Sequence, residues 1–247
     1  MTDPEEPGGP DRPGTVLPLL TTAADAVLRS AHTLDDAAVR APSRLPGWTR
    51  AHVLVHLARG ADSRVRLLTA ARTGADLPQY PDEQTRADEI RQGALRDAAA
   101  IHRDLQASLE GVLRAVAEQP SDTWDIPVRW LGGGLRPARG VLWSLLRELE
   151  IHHVDLAAAY APTDWSAAFV ARQLAETVRD LRADPAVPGL QLRAGAGAPL
   201  TSLGSRPGPL VAGSPAGVLA WLIGRSDGGD LTVSPAGALP RIPVWRR

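Results

Sequence analysis

Apolar side chains recur every three to four positions through most of the first 160 residues, the period of helices that bury one face. Leu17, Leu20, Ala24, Val27 and Leu28 predict a helix over 16–33. Val53, Leu54, Leu57, Val65 and Leu68 predict a second over 50–73, with Thr49 as its N-cap. Ile90, Leu95, Ile101, Leu105, Leu109, Val112, Leu113 and Val116 mark one long third helix over 84–118. Val141, Leu142, Leu145, Leu146, Leu149, Val154 and Leu156 mark a fourth over 138–160. Between them lie a connection at 34–47 with the turn pair Pro46-Gly47, and a loop at 74–83 through Gly74, Pro78 and Pro81. A non-helical stretch at 122–139 follows, where Trp124, Ile126, Val128 and Trp130 alternate like a strand ahead of Gly132-Gly133-Gly134. Four striped helices imply an antiparallel bundle over 15–162, preceded by a Pro-, Gly- and acid-rich lead-in, expected to be disordered, at 1–14.

The pattern changes after Pro162. Phe169, Val170, Leu174, Val178 and Leu181 predict a helix over 164–183. Short apolar runs at 190–192, 210–212 and 231–233 read as strands, with a helix at 215–224 and an extended tail from Pro240 to Trp245. The expected architecture is α+β: a helical bundle followed by a small α/β domain over 163–247.

The 247 residues carry a net charge of −1, which gives no nucleic-acid footprint. No apolar run approaches the roughly 20 residues that span a bilayer, and the acidic start is unlike a secretory signal. A cytoplasmic protein is expected. The chain has no cysteine, and all 27 of its basic residues are arginine. That excludes thiolate ligands, a cysteine nucleophile, Schiff-base chemistry and the lysine of a phosphate-binding P-loop. What remains is His, Asp/Glu, Ser/Thr, Arg, a metal or a borrowed cofactor. Arginine is the side chain best shaped to grip carboxylates.

The chemistry concentrates in Arg147-Glu148-Leu149-Glu150-Ile151-His152-His153-Val154-Asp155. On a helix, Glu148 and His152 are one turn apart and face the same way, with Asp155 close by. A carboxylate and an imidazole so placed supply two of the three protein ligands of a typical catalytic zinc site. Taken alone, the pair reads more readily as an ion pair on an exposed helix face, and a second segment changes that balance. The second helix offers a further ligand from either His52 or His56, themselves one turn apart. Asp155 is open as a fourth ligand, which would suit a structural metal site.

Pro46-Gly47-Trp48-Thr49-Arg50 leading into His52-x3-His56-Leu57-Ala58-Arg59, with Arg147-Glu148-x3-His152-x-Val154-Asp155-Leu156, resembles the mycothiol-dependent maleylpyruvate isomerases of the DinB-like metal-binding superfamily. Tyr80…Arg86-x2-Glu89-Ile90 and Gly224-Arg225-x-Asp227-Gly228 extend the resemblance. It implies an N-terminal DinB-like four-helix bundle and a C-terminal domain similar to sterol carrier protein. It implies zinc ligands at His56, Glu148 and His152, active-site arginines at Arg86 and Arg225 that act in catalysis and in binding, and mycothiol as cofactor. It also implies a small dicarboxylate substrate, no nucleic-acid or membrane partner, and a monomer.

The activity implied is the cis–trans isomerisation of maleylpyruvate to fumarylpyruvate by reversible thiolate addition. Mycothiol transfer to other electrophiles would use the same ligands and cofactor. A non-enzymatic zinc-binding module is the third reading.

Overall fold

The computed structural model describes residues 12–245, and the chain divides after Tyr160 into two compact units. The lead-in expected at 1–14 lies outside the described residues, apart from its last three. Of these, Pro13 and Gly14 already belong to α1 (Pro13–His32), where the fixed φ of proline suits the first helical position.

Five further helices and a hairpin complete the first unit among the described residues: α2 (Asp36–Arg40), α3 (Arg50–Thr73), α4 (Glu83–Gly93), α5 (Ala98–Ala117), β1 (Pro127–Arg129), β2 (Leu135–Pro137) and α6 (Gly140–Asp155). The four long helices pack in a ring: α3 lies against α5 and α6, and α1 lies against the same two. Leu20, Leu54, Leu57, Leu67, Leu105, Leu109, Leu142, Leu145 and Leu146 fill the middle, all fully buried. Each contributes about 1.5–3 kcal/mol by leaving water. α3 also carries α4 on its flank and touches α2 and β1, so it is covered on nearly every side.

The single helix expected over 84–118 is two. The break falls at residues 94–97, where Asp97 accepts the backbone N–H of Ala100 at 2.6 Å and starts α5 afresh. The carbonyls opened by the break do not go unsatisfied. Arg40 of α2 donates to those of Ala94, Leu95 and Arg96 at 2.5, 3.0 and 2.9 Å. That short helix, capped by Asp35 through the N–H of Ala38 at 2.8 Å, was itself expected to be loop. The alternation from Trp124 yields only the three residues of β1, paired antiparallel with β2 across a turn in which Gly132 and Gly133 both have φ +84°. Only glycine adopts that conformation without strain.

The last expected helix of this unit stops at Asp155, earlier than 160. Ala157 has φ +52°, and the terminal carbonyls turn toward Arg50 at the start of α3. Arg50 donates to Leu156 and Ala157 at 2.8 and 2.7 Å. The backbone N–H of Arg44 binds the carbonyl of Asp155 at 2.8 Å. The beginning of α3 and the end of α6 are thereby tied together.

The second unit holds α7 (Ala167–Arg182), β3 (Leu190–Ala194), β4 (Thr201–Leu203), β5 (Leu210–Gly213), α8 (Pro215–Leu222) and β6 (Thr232–Ser234). The sheet runs β4-β3-β5-β6, with β3 and β5 parallel and the outer pairings antiparallel. Leu181, Leu190, Leu192, Leu203, Val211, Val218 and Trp221 form its core between sheet and helices. β4 was not expected, because Thr201 and Ser202 give an edge strand little apolar signal. The whole is of mixed α and β type: a helical first unit, then a small mixed sheet with two helices.

Candidate metal centre

Two helices deliver the central residues. α3 presents His56, and α6 presents Glu148 and His152 one turn apart. Their ligand-bearing atoms all lie within 4.8 Å of one another, a constellation able to hold a metal ion. The Nε2 of His56 is 2.9 Å from Oε2 of Glu148, and the Nε2 of His152 is 3.5 Å from the same oxygen. The two imidazoles meet edge to face at 4.6 Å, and the indole of Trp48 closes on His56 at 5.6 Å.

Neighbouring groups set the tautomers. Nδ1 of His152 lies 2.9 Å from Oδ2 of Asp155, which is 1% exposed. A carboxylate only accepts, so Nδ1 carries the proton and Nε2 points into the site. Asp155 is therefore an orienting partner of His152, outside the three-residue cluster. His56 receives its contact at Nδ1 from Arg86 of α4, at 3.1 Å. Arg86 also lies over the ring of Tyr80, 5.4 Å from its centroid.

The electrostatics are those of a desolvated cluster. Burial lowers the pKa of His56 to about 4 against the help of Glu148, so this imidazole is neutral at physiological pH. Burial also opposes charge on His152, but its hydrogen bonds to Asp155 and Glu148 prevail and raise it to about 9. For Glu148 burial pushes upward, yet the bonds from His152 and His56 outweigh it and hold the carboxyl well below its usual range.

The competing residues have other work. The ring of His52 is turned to the start of α3, where its Nδ1 accepts the backbone N–H of Thr49 at 3.2 Å and sits 2.8 Å from the Thr49 hydroxyl. Glu150 is buried and binds the Tyr160 hydroxyl. His153 meets Ser30 at 2.7 Å and stacks on Tyr160. Arg225 is placed just beyond α8, in the second unit, where its side chain donates to the carbonyl of Ile223 at 3.0 Å.

One residue escaped sequence reading. Arg64, two turns beyond His56 on α3, is 4% exposed. It lies 3.8 Å from Oε1 of Glu148. A lone arginine in a helix normally signals solvent. The available hint was its neighbourhood, Gly60, Ala61 and Ser63, too small to fill a helix interface by themselves.

Comparison with known proteins bears on the family and the fold. The model of the mycothiol maleylpyruvate isomerase N-terminal domain matches residues 20–157, which include all three clustered residues. The crystal structure of the mycothiol-dependent maleylpyruvate isomerase superposes with a TM-score of 0.88 at 27% identity, covering 95% of this chain and 97% of that one. That of a histidine-to-alanine mutant of the enzyme gives 0.87 with the same identity and coverage. No curated protein sequence matches. A chain whose helical unit carries this match, and whose fold follows the solved enzyme almost end to end, belongs to the mycothiol maleylpyruvate isomerase family.

Proposed function

We propose that this protein is a metal- and mycothiol-dependent isomerase that converts maleylpyruvate to fumarylpyruvate, with His56, Glu148 and His152 as metal ligands. The observation that carries the reading is the clustering of two imidazole nitrogens and one carboxylate oxygen within 4.8 Å in a chain with no cysteine. Two imidazoles and one carboxylate are a donor set suited to zinc, and three protein ligands leave room for a further one. Bound there, the metal would lower the pKa of a thiol, and mycothiol would supply the thiolate that adds reversibly to the cis double bond and lets it turn.

The chain's own side chains do the rest. His152 keeps its proton at Nδ1, held by Asp155, so its Nε2 is available as a ligand once the second proton leaves. His56 is neutral without help. The Trp48 ring packs edge to face with His56. Arg86, beside His56, offers a guanidinium to a substrate carboxylate or to the negative charge that develops on the carbonyl oxygen during addition. Arg225 is assigned a like role on the family resemblance.

The membership of a DinB-like superfamily and the likeness of the second unit to sterol carrier protein accompany this reading. So does a cytoplasmic monomer; no helix among the described residues is long and apolar enough to cross a membrane.

The test is turnover of maleylpyruvate by the purified, zinc-loaded protein with and without mycothiol. Fumarylpyruvate should form only with the thiol. No conversion by folded, metal-bound protein would overturn the isomerase reading, and formation of a stable mycothiol conjugate with other electrophiles would replace it with a transferase.

A further inference from the structure

The two oxygens of Glu148 face different groups. Oε2 looks toward both histidine Nε2 atoms, at 2.9 and 3.5 Å. Oε1 looks toward Nη2 of Arg64 at 3.8 Å. We infer that Arg64 is a positioning residue that reserves one oxygen of Glu148, so that a metal ion receives the other alone and a coordination position stays open. This rests on the metal site proposed above.

Three observations support it. First, Arg64 is 4% exposed, and a guanidinium that deep requires an opposite charge. Among the described residues Glu148 is the one carboxylate within ion-pair reach of it. Second, Arg64 cannot swing away. Nη1 donates to the carbonyl of Gly60 and the hydroxyl of Ser63, both at 3.1 Å, and Nη2 donates to the hydroxyl of Ser144 at 2.8 Å. Ser144 is one turn before Glu148 on α6, so the same nitrogen is braced against the helix that carries the carboxylate. Third, the brace is itself held. Gln79 donates to Ser63 at 3.3 Å and accepts the backbone N–H of Leu131 at 2.9 Å. This polar chain runs from the β1–β2 turn to Arg64, whose Nη2 stands 3.8 Å from the carboxylate.

A carboxylate can bind a metal through one oxygen or through both, and the two-oxygen mode consumes a position that a thiol needs. A cation braced 3.8 Å from Oε1 opposes that closure. The charge also lowers the affinity of the site for any metal ion. Removal of Arg64 should therefore leave metal binding as tight or tighter while it changes the coordination, the reverse of what simple damage does.

The experiment uses the full chain loaded with Co²⁺, whose visible absorption weakens as coordination number rises. In Arg64→Met, absorption should fall several-fold while Co²⁺ affinity, measured by competition with a chelator, holds or rises. Arg64→Lys should keep the wild-type spectrum. An unchanged spectrum in folded R64M, weaker Co²⁺ binding without a spectral change, or a R64M-like spectrum in R64K would overturn the inference. If R64M does not fold, the wild-type protein decides. With ¹³C-labelled glutamate, the infrared difference between zinc-loaded and metal-free protein should show the widely split carboxylate bands of one-oxygen binding, and a narrow splitting overturns the inference. Wild-type protein that takes up no Co²⁺ would instead sink the metal site itself.

Discussion

Arg86 donates to Nδ1 of His56 across 3.1 Å while Glu148 sits 2.9 Å from Nε2 of the same ring. A guanidinium has no acceptor, so Nδ1 must accept and the ring proton must sit on Nε2, aimed at Glu148. A metal on Nε2 needs the other tautomer, with the proton on Nδ1, where it would confront a second donor. Metal loading should therefore shift the His56 proton to Nδ1 and release Arg86. Nitrogen-15 NMR of labelled histidine should show the exchange of protonated nitrogen on zinc addition. Arg86→Ala, which removes the competing donor, should tighten zinc binding about threefold to tenfold, the net worth of an ordinary hydrogen bond.

Glu148→Ala should be the most damaging change at the site. It strips a 4%-exposed guanidinium of its ion-pair partner, an error that costs about 3–5 kcal/mol. Urea denaturation of chelator-treated protein should show E148A less stable than H152A by a clear margin. Both, along with H56A, should fail to retain zinc while keeping their helical circular dichroism.

Alkaline pH should destabilise the metal-free protein. The pKa of His152 rises from 6.5 to about 9 on folding. A raised folded pKa contributes stability that is complete below 6.5 and lost as pH climbs through about 9. Glu148 acts at the other end: its depressed pKa contributes above 4.5 and fades as pH falls through the folded value. Melting of chelator-treated protein should thus decline from pH 6.5 to 9.5, and His152→Gln should remove that slope. Zinc affinity should rise over the same range, because the His152 proton competes with the metal.

His52→Ala should leave zinc stoichiometry unchanged and lower stability by about 1 kcal/mol, the typical worth of a helix cap. Loss of zinc in this variant would return His52 to the ligand set.

Arg225→Ala should retain zinc and its melting temperature but lose about 100-fold in turnover, as when one charge-stabilising donor is removed. Unchanged kinetics would make it a purely structural residue of the second unit.

Helix positions were legible wherever an apolar stripe met a clear cap: α3 begins and ends where Thr49 and Gly74 predict. The split between α4 and α5 was hidden, because the apolar spacing runs through the break at 94–97. The carbonyls it exposes are bound by Arg40, more than fifty residues away. Spacing alone paired Glu148 with His152 but left His52 and His56 equal. Two histidines one turn apart share a face, and only the tertiary neighbours show that one caps its helix while the other meets Glu148. Arg64 was illegible for a related reason, since nothing local announces that an arginine's counter-charge lies on another helix.

The fork of Arg50 onto Leu156 and Ala157 joins the first turn of α3 to the last of α6. One of the three clustered side chains stands less than two turns from that joint on one helix, and two stand within three turns on the other. The triangle of donor atoms is thus assembled by the polypeptide before any ion arrives. Capture should then require little ordering of the chain, with fast uptake and a small heat-capacity change. Weakening the joint with Arg50→Ala should slow metal capture even though the change touches none of the clustered donor atoms.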